Sequence, residues 1–251
     1  MASGGNIFNF PENCSVNQRI GKALFAENGP LTPTDRRTFR NEIEEIVCSY
    51  ILDEQHGVML TPYSDEEHDY TCLTQVDVFL KKTGKAVRVA ELCHRAMPYP
   101  LIVILHDGNA MMLSMAEKRC SRDGKEQVVL ERIVNTDWML ETTLNDFRNA
   151  ADFDKNRKLS FKELYLHYIE LLEVLQCATI TGEFKEDSIS SEERRALLGK
   201  LHHLNQHLAA IKTKAKTETE LSRQIELNMQ AKQIEAEIEA NLLKLNNKER
   251  K

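Results

Sequence analysis

Residues 72–80, CLTQVDVFL, and residues 101–115, LIVILHDGNAMMLSM, carry the pattern that decides the fold. In the first, Cys72, Thr74, Val76, Val78 and Leu80 alternate with the residues between them, the period of a half-buried strand. Asp77 falls on the other face, where exposure to solvent is the expectation. In the second, Leu101 to Leu105 is a short apolar strand, and Asp107-Gly108 reads as a type I′ turn into a further strand, Ala110 to Met115. Between the two lies a segment with Ala86, Ala90, Cys93 and Met97 on a narrow helical stripe, which Pro98 and Pro100 end. Strand, helix, strand and hairpin follow one another.

Working outward, Thr32-Pro33-Thr34-Asp35 has the form of a helix start, with Thr32 as N-cap and Pro33 at the first helical position. Phe39, Ile43, Ile46, Val47 and Tyr50 then recur at helical spacing, so the helix is expected to continue through them. The stretch at 55–70, with Ser64 to Asp69 almost wholly polar, reads as an exposed loop. Arg122-Asp123-Gly124-Lys125 is a second turn, leading into a strand from Val128 to Val134. Two further helices are expected near 140–150 and 160–177, the second carrying Leu164, Tyr168, Leu171, Leu172 and Leu175. The sum is an α+β domain: a mixed, largely antiparallel sheet with helices packed on one face.

Charge and aromatic content divide the chain. From Ser190 onward there are 12 Lys or Arg against 9 Asp or Glu, and the first 189 residues hold 21 against 30. Phe184 is the last aromatic residue. These changes place an α+β body at 1–185 and a tail at 190–251. Ser190 and Glu193 form a capping-box pair. Leu197, Leu201, Leu204, Leu208 and Ile211 follow at steps of 4, 3, 4 and 3, the seam of a coiled coil. Residues 212–220 interrupt it, and a second series, Leu221, Ile225, Ala231, Ile234, Ile238, Leu242 and Leu245, follows with a slip of register expected near Asn228. A helical hairpin and one long helix both fit, the break favouring the hairpin. Two helices sharing one seam leave apolar surface over, so self-association or contact with another protein is expected of the tail.

Composition excludes several classes. At 41% hydrophobic and 29% charged, the 251 residues can bury a core. The net charge of −6 argues against wholesale wrapping of nucleic acid. The longest aliphatic run is five residues, against the ~20 of a membrane-spanning helix. Met1 to Cys14 shows no secretory pattern. Six dispersed cysteines without a CxxC pair suggest reduced thiols and a cytoplasmic location.

Four groups of residues carry candidate chemistry. Asp152, Asp154, Asn156 and Glu163 match oxygen positions of an EF-hand calcium loop, but Arg157 stands where the loop needs glycine, and a polar loop before a helix is the stronger reading. His202, His203 and His207 include an i, i+4 pair of possible metal ligands, on a helix flank where solvation is expected. Asp77, Lys81 and Glu91 are the acids and lysine of a metal-dependent nuclease reading, without the tight acid-x-lysine spacing. Lys118 and Arg119, at a charged hairpin end, are candidates for contact with a partner or with phosphates. No phosphate loop or GxSxG motif is present, and no cofactor is expected.

Several stretches together resemble the prokaryotic family known as domain of unknown function 4391. They are Pro11 with Val16-Asn17-Gln18-Arg19-Ile20, Lys22 and Phe25; Leu31-Thr32 before Asp35; the strand at 72–80; and the apolar run after Pro98-Tyr99-Pro100. Ser114, Ala116, Lys118-Arg119, Thr136-Asp137-Trp138 and the tail segment Arg223 to Asn228 complete the set. The resemblance implies a setting, not an activity: genes beside helicases and DNA methyltransferases in antiviral, restriction-like islands. It implies no catalytic residues. The resulting expectation is a non-catalytic accessory or adaptor subunit of a DNA-processing defence complex, with helicase or methyltransferase subunits as partners. The metal-dependent nuclease is the alternative and a calcium-binding module the second alternative.

Overall fold

The computed structural model describes residues 5–23, 31–120, 128–186 and 189–246. Phe25, Ser188 and the turn expected at 122–125 lie outside these residues. Contacts divide the chain into two compact units, Met1–Leu172 and Glu173–Lys251.

The first unit is built on a seven-stranded sheet. Its strands are β1 (Ser15–Arg19), β2 (Ile43–Leu52), β5 (Leu73–Leu80), β6 (Leu101–Asp107), β7 (Ala110–Cys120) and β8 (Val128–Asn135), in that spatial order, with β9 (Met139–Leu140) beside β7. β3 (Tyr63–Ser64) and β4 (Asp69–Tyr70) form a separate small hairpin within the segment read as loop. Among the described residues only β5 and β6 pair in parallel; the other pairs are antiparallel. Parallel neighbours need a crossover, and α2 (Ala86–Ala96) supplies it before Pro98.

α1 (Pro33–Glu42) begins as its sequence predicts, with Thr32 and Asp35 exchanging capping bonds. It ends at Glu42, and Ile43–Leu52 is strand, not helix. The register of β2 on β5 shifts between Ile43 and Glu45 and again between Cys48 and Tyr50. Each extra residue turns a spacing of two into three, so the apolar positions imitate helical periodicity. β-branched Ile43, Ile46, Val47 and Ile51 suit the strand.

Helical layers cover both faces of the sheet, where one face was expected. On the first, Val76, Val78, Leu80, Leu101, Val103, Leu105 and Met112 pack with Val89, Ala90 and Cys93 of α2 and Phe39 of α1. Arg88 of α2 clamps α1 through Asp35 at 2.8 Å. The second layer joins Phe8 and Phe10 to Tyr50 of β2, to Phe147 of α3 (Asn145–Ala150), to Phe153 of α4 (Phe153–Asn156) and to Tyr168 of α5 (Phe161–Thr181). The Tyr165 hydroxyl donates to the carbonyls of Leu101 and Ala116 at 3.0 and 2.9 Å. β5 is therefore buried on both faces, not on one. The two-residue turn after β6 has Gly108 alone at positive φ (+57°), the pattern of a type II′ turn, which needs glycine only at its first central position.

In the second unit α6 (Ser191–Thr217) and α7 (Leu221–Leu245) form the hairpin. The turn needs neither Gly nor Pro: the Glu218 carboxylate accepts from the amides of Thr219 and Glu220 at 2.9 and 3.0 Å. Leu204, Leu208 and Ile211 of α6 pack with Leu227, Ala231, Ile234 and Ile238 of α7. A second cluster gathers Leu197, Leu201, Leu242 and Leu245 around Cys177. That contact counts the last turns of α5 with the second unit. Ile225 is not on the seam. It is 53% exposed, and Leu227 occupies the place assigned to it. From Leu227 the series 227, 231, 234, 238 keeps heptad steps without a slip.

Candidate functional site

The parallel pair positions the most unusual side chains of the molecule. Asp77, at the middle of β5, is fully buried. Its Oδ2 accepts from Ser49 Oγ and, at 3.1 Å, from Gln75 Nε2; its Oδ1 accepts from His106 Nε2 at 2.5 Å. A buried carboxylate is tolerated only with such partners. Ser49 is the extra residue of the second β2 bulge. Bulges re-aim side chains, and this one delivers a hydroxyl to Asp77.

His106 stands at the carboxyl end of β6, stacked on Phe79 with ring centroids 4.7 Å apart. Because the carboxylate can only accept, Nε2 carries a proton, and in the neutral ring Nδ1 is then an acceptor. His106 lines a cleft of about 640 Å³ that also involves Glu44, Phe79, Leu80, Gly108, Asn109, Met111, Leu140, Glu141 and Thr142. The cleft lies outside the carboxyl ends of β5 and β6, where open sheets with parallel strands place their ligands.

A second polar group lies under α2. His94 is fully buried and its Nε2 is 2.9 Å from Ser114 Oγ on β7. Burial, and then Lys118 nearby, hold the His94 imidazole well below its ordinary pKa, so it is neutral. Lys118 donates to the carbonyls of Met97 and Tyr99, both at 2.9 Å, at the end of α2. Burial pushes its ammonium down to about 7.

The structure distributes the residues singled out from the sequence as follows. Lys118 is buried, not at a solvated hairpin end; β7 continues past it, and its side chain turns under α2. Arg119 is the more exposed of the two and pairs with Glu131 at 3.2 Å. Asp77, Lys81 and Glu91 are not brought together. Asp77 is buried on the face away from α2, Lys81 is exposed, and Glu91 sits on α2 between Arg88 and Arg95. The four calcium candidates serve local backbone. Asp152 accepts from Asp154 N at 2.9 Å, Asn156 donates to the carbonyls of Ala150 and Asp152, and Glu163 closes a capping box with Ser160 at the start of α5. His202 contacts Gln206, and the His203 and His207 rings are 6.4 Å apart. Among the described residues no three His, Cys, Asp or Glu side chains gather to hold a metal, no helix is long and apolar enough to cross a membrane, and none of the six cysteines is paired.

Ser49, Gln75 and His106 were not singled out from the sequence. The Asp77–His106 contact spans 29 positions, beyond any local motif. The available signal was a histidine ending an apolar strand just before a glycine turn.

A mixed sheet with one crossover, a polar pair at its carboxyl end and a helical hairpin define the class of this α+β protein. The model of the family described as domain of unknown function DUF4391 matches residues 8–238, and the chain belongs to that family. No curated protein and no solved structure matches.

Proposed function

We propose that this protein is a non-catalytic accessory subunit that joins a larger assembly through its helical hairpin. The observation that carries the reading is an apolar stripe the hairpin seam does not use. Leu221, Ile225 and Met229, four residues apart along α7, are 69%, 53% and 61% exposed. Three large apolar side chains in a row on one helix face are a contact surface seeking a partner helix. The family resemblance supplies the setting: the partner is a helicase or DNA methyltransferase subunit of a DNA-processing defence complex, in the cytoplasm.

Replacing all three by lysine in the full-length chain tests this. The positions are exposed, so the hairpin keeps its helicity. Co-purification with helicase and methyltransferase products of adjacent genes is expected to fall about tenfold or more, the consequence of placing charge in an apolar contact. Undiminished co-purification overturns the role given to the stripe. Loss of self-association with co-purification intact replaces the partner subunit by a second copy of this chain and overturns the heteromeric reading.

A further inference from the structure

The cleft at the carboxyl ends of β5 and β6 asks for an occupant independently of the tail. We propose that it binds a small, non-anionic molecule with an apolar ring and N–H or O–H donors at its edge, the chemistry shared by nucleosides and aromatic amines, with the Asp77–His106 pair as the polar anchor.

Three features of the cleft select that chemistry. The anchor comes first. Asp77 is held by Ser49, Gln75 and His106, so its position is fixed before any ligand arrives. It in turn fixes the tautomer and plane of His106, and Phe79 stacks on the ring at an interplanar angle of 16°. Among the described residues nothing hydrogen-bonds Nδ1, so the neutral form of the imidazole offers an oriented acceptor to an N–H or O–H donor. The walls come second. Phe79, Leu80, Met111 and Leu140 line the cleft, and Leu140 is 54% exposed although large and apolar. A ring laid against these side chains buries apolar area on both partners.

Charge is the third. The only charged side chains lining the cleft among the described residues are Glu44 and Glu141, the latter paired with Arg148; no lysine or arginine lines it. A phosphate or carboxylate brought beside Glu44 meets repulsion, and no lysine or arginine of the lining offsets it. The volume, about 640 Å³, is that of a site for a small organic molecule. Binding needs no chemistry from the chain, so it stands beside the accessory role and does not depend on it.

The test uses the full-length protein with its histidine rings labelled, the His106 signal being assigned by its disappearance in His106→Gln. Adenosine, tryptamine and adenosine monophosphate are titrated separately. Saturable movement of the His106 ring signals with adenosine or with tryptamine supports the site, and which of the two acts tells the nucleoside source from the amine source. The monophosphate is expected to bind about tenfold more weakly than adenosine, because its phosphate lies against an acidic wall. Asp77→Asn is expected to weaken the responding probe about tenfold by removing the anchor's alignment. Glu44 is exposed, so Glu44→Lys leaves the fold intact and is expected to bring the monophosphate level with adenosine. His106 signals unmoved by both adenosine and tryptamine at millimolar concentration overturn the proposal, as does a wild-type chain that binds the monophosphate as tightly as the nucleoside.

Discussion

The two faces of the central sheet bury polar groups in opposite ways. On one, Asp77 is surrounded by three donors and its histidine reaches a cleft. On the other, His94, Ser114 and Lys118 are sealed beneath α2 with backbone carbonyls as the outer partners. The first arrangement holds a side chain in position for something outside the fold. The second meets the surface only at a crevice of about 10 Å³ beside Lys118, and its work is internal: Lys118 donates to the carbonyls of Met97 and Tyr99, in the turn that follows α2. Burial marks both groups, so it does not separate a site from a structural element. Access does.

Removal of Asp77 breaks this comparison most severely. Asp77→Ala strands the buried Ser49 hydroxyl and Gln75 amide and leaves His106 Nε2 without its partner. A loss of about 3–5 kcal/mol is expected, read as a lower urea midpoint. An unchanged midpoint would mean that the cluster is hydrated and that the cleft reaches deeper than His106.

The sealed group is probed next, by pH. Lys118 in the fold has its pKa lowered from 10.5 to about 7. Between those values the unfolded chain holds a proton that the folded chain does not, so stability rises with pH across the window. The slope has a limit of about 1.4 kcal/mol per pH unit. The neutral amine keeps two N–H donors, enough for the carbonyls of Met97 and Tyr99. His94 acts in the same direction at lower pH: its folded pKa lies well below 6.5, so stability is lost as pH falls through 6.5. In Lys118→Met the rise above pH 7 is expected to flatten while the loss below 6.5 persists. A wild-type profile flat above pH 7 would show that Lys118 keeps its proton in the fold.

How far the sequence revealed this molecule varied with the range of the signal. Strand β5, helix α2, strand β6 and the glycine turn were legible because their apolar period is local and undisturbed. Residues 43–52 were not, since two bulges in β2 convert alternation into helical spacing. Ile225 fell off the seam for a related reason: Ile225 and Leu227 both continue an apolar series, and only the facing residues of α6 choose between them. Asp77 was visible as an acid in a strand, but its burial depends on a layer built from Phe8, Phe10, Phe147 and Tyr168, which are far apart in the chain. The His106 partner and the bulged Ser49 are consequences of sheet pairing, and no spacing rule anticipates them.

The smallest expected effect sharpens the contrast between the faces. Ser114→Ala removes the partner of His94 Nε2 while adding no bulk, and His94 Nδ1 is already without a partner. Both ring nitrogens are then unpaired in a sealed apolar layer, at a cost of about 1 kcal/mol. Because a neutral ring with no partner gains nothing from keeping its tautomer, its signals are expected to broaden between two tautomers, whereas those of His106 stay those of a single tautomer under the Asp77 carboxylate. Ring nitrogen spectra of the two histidines in the same sample read both at once. A Ser114→Ala chain in which His94 remains a single tautomer at full stability would show that a buried water replaces the hydroxyl. The layer under α2 would then be open to solvent, and access would no longer distinguish it from the face that carries the cleft.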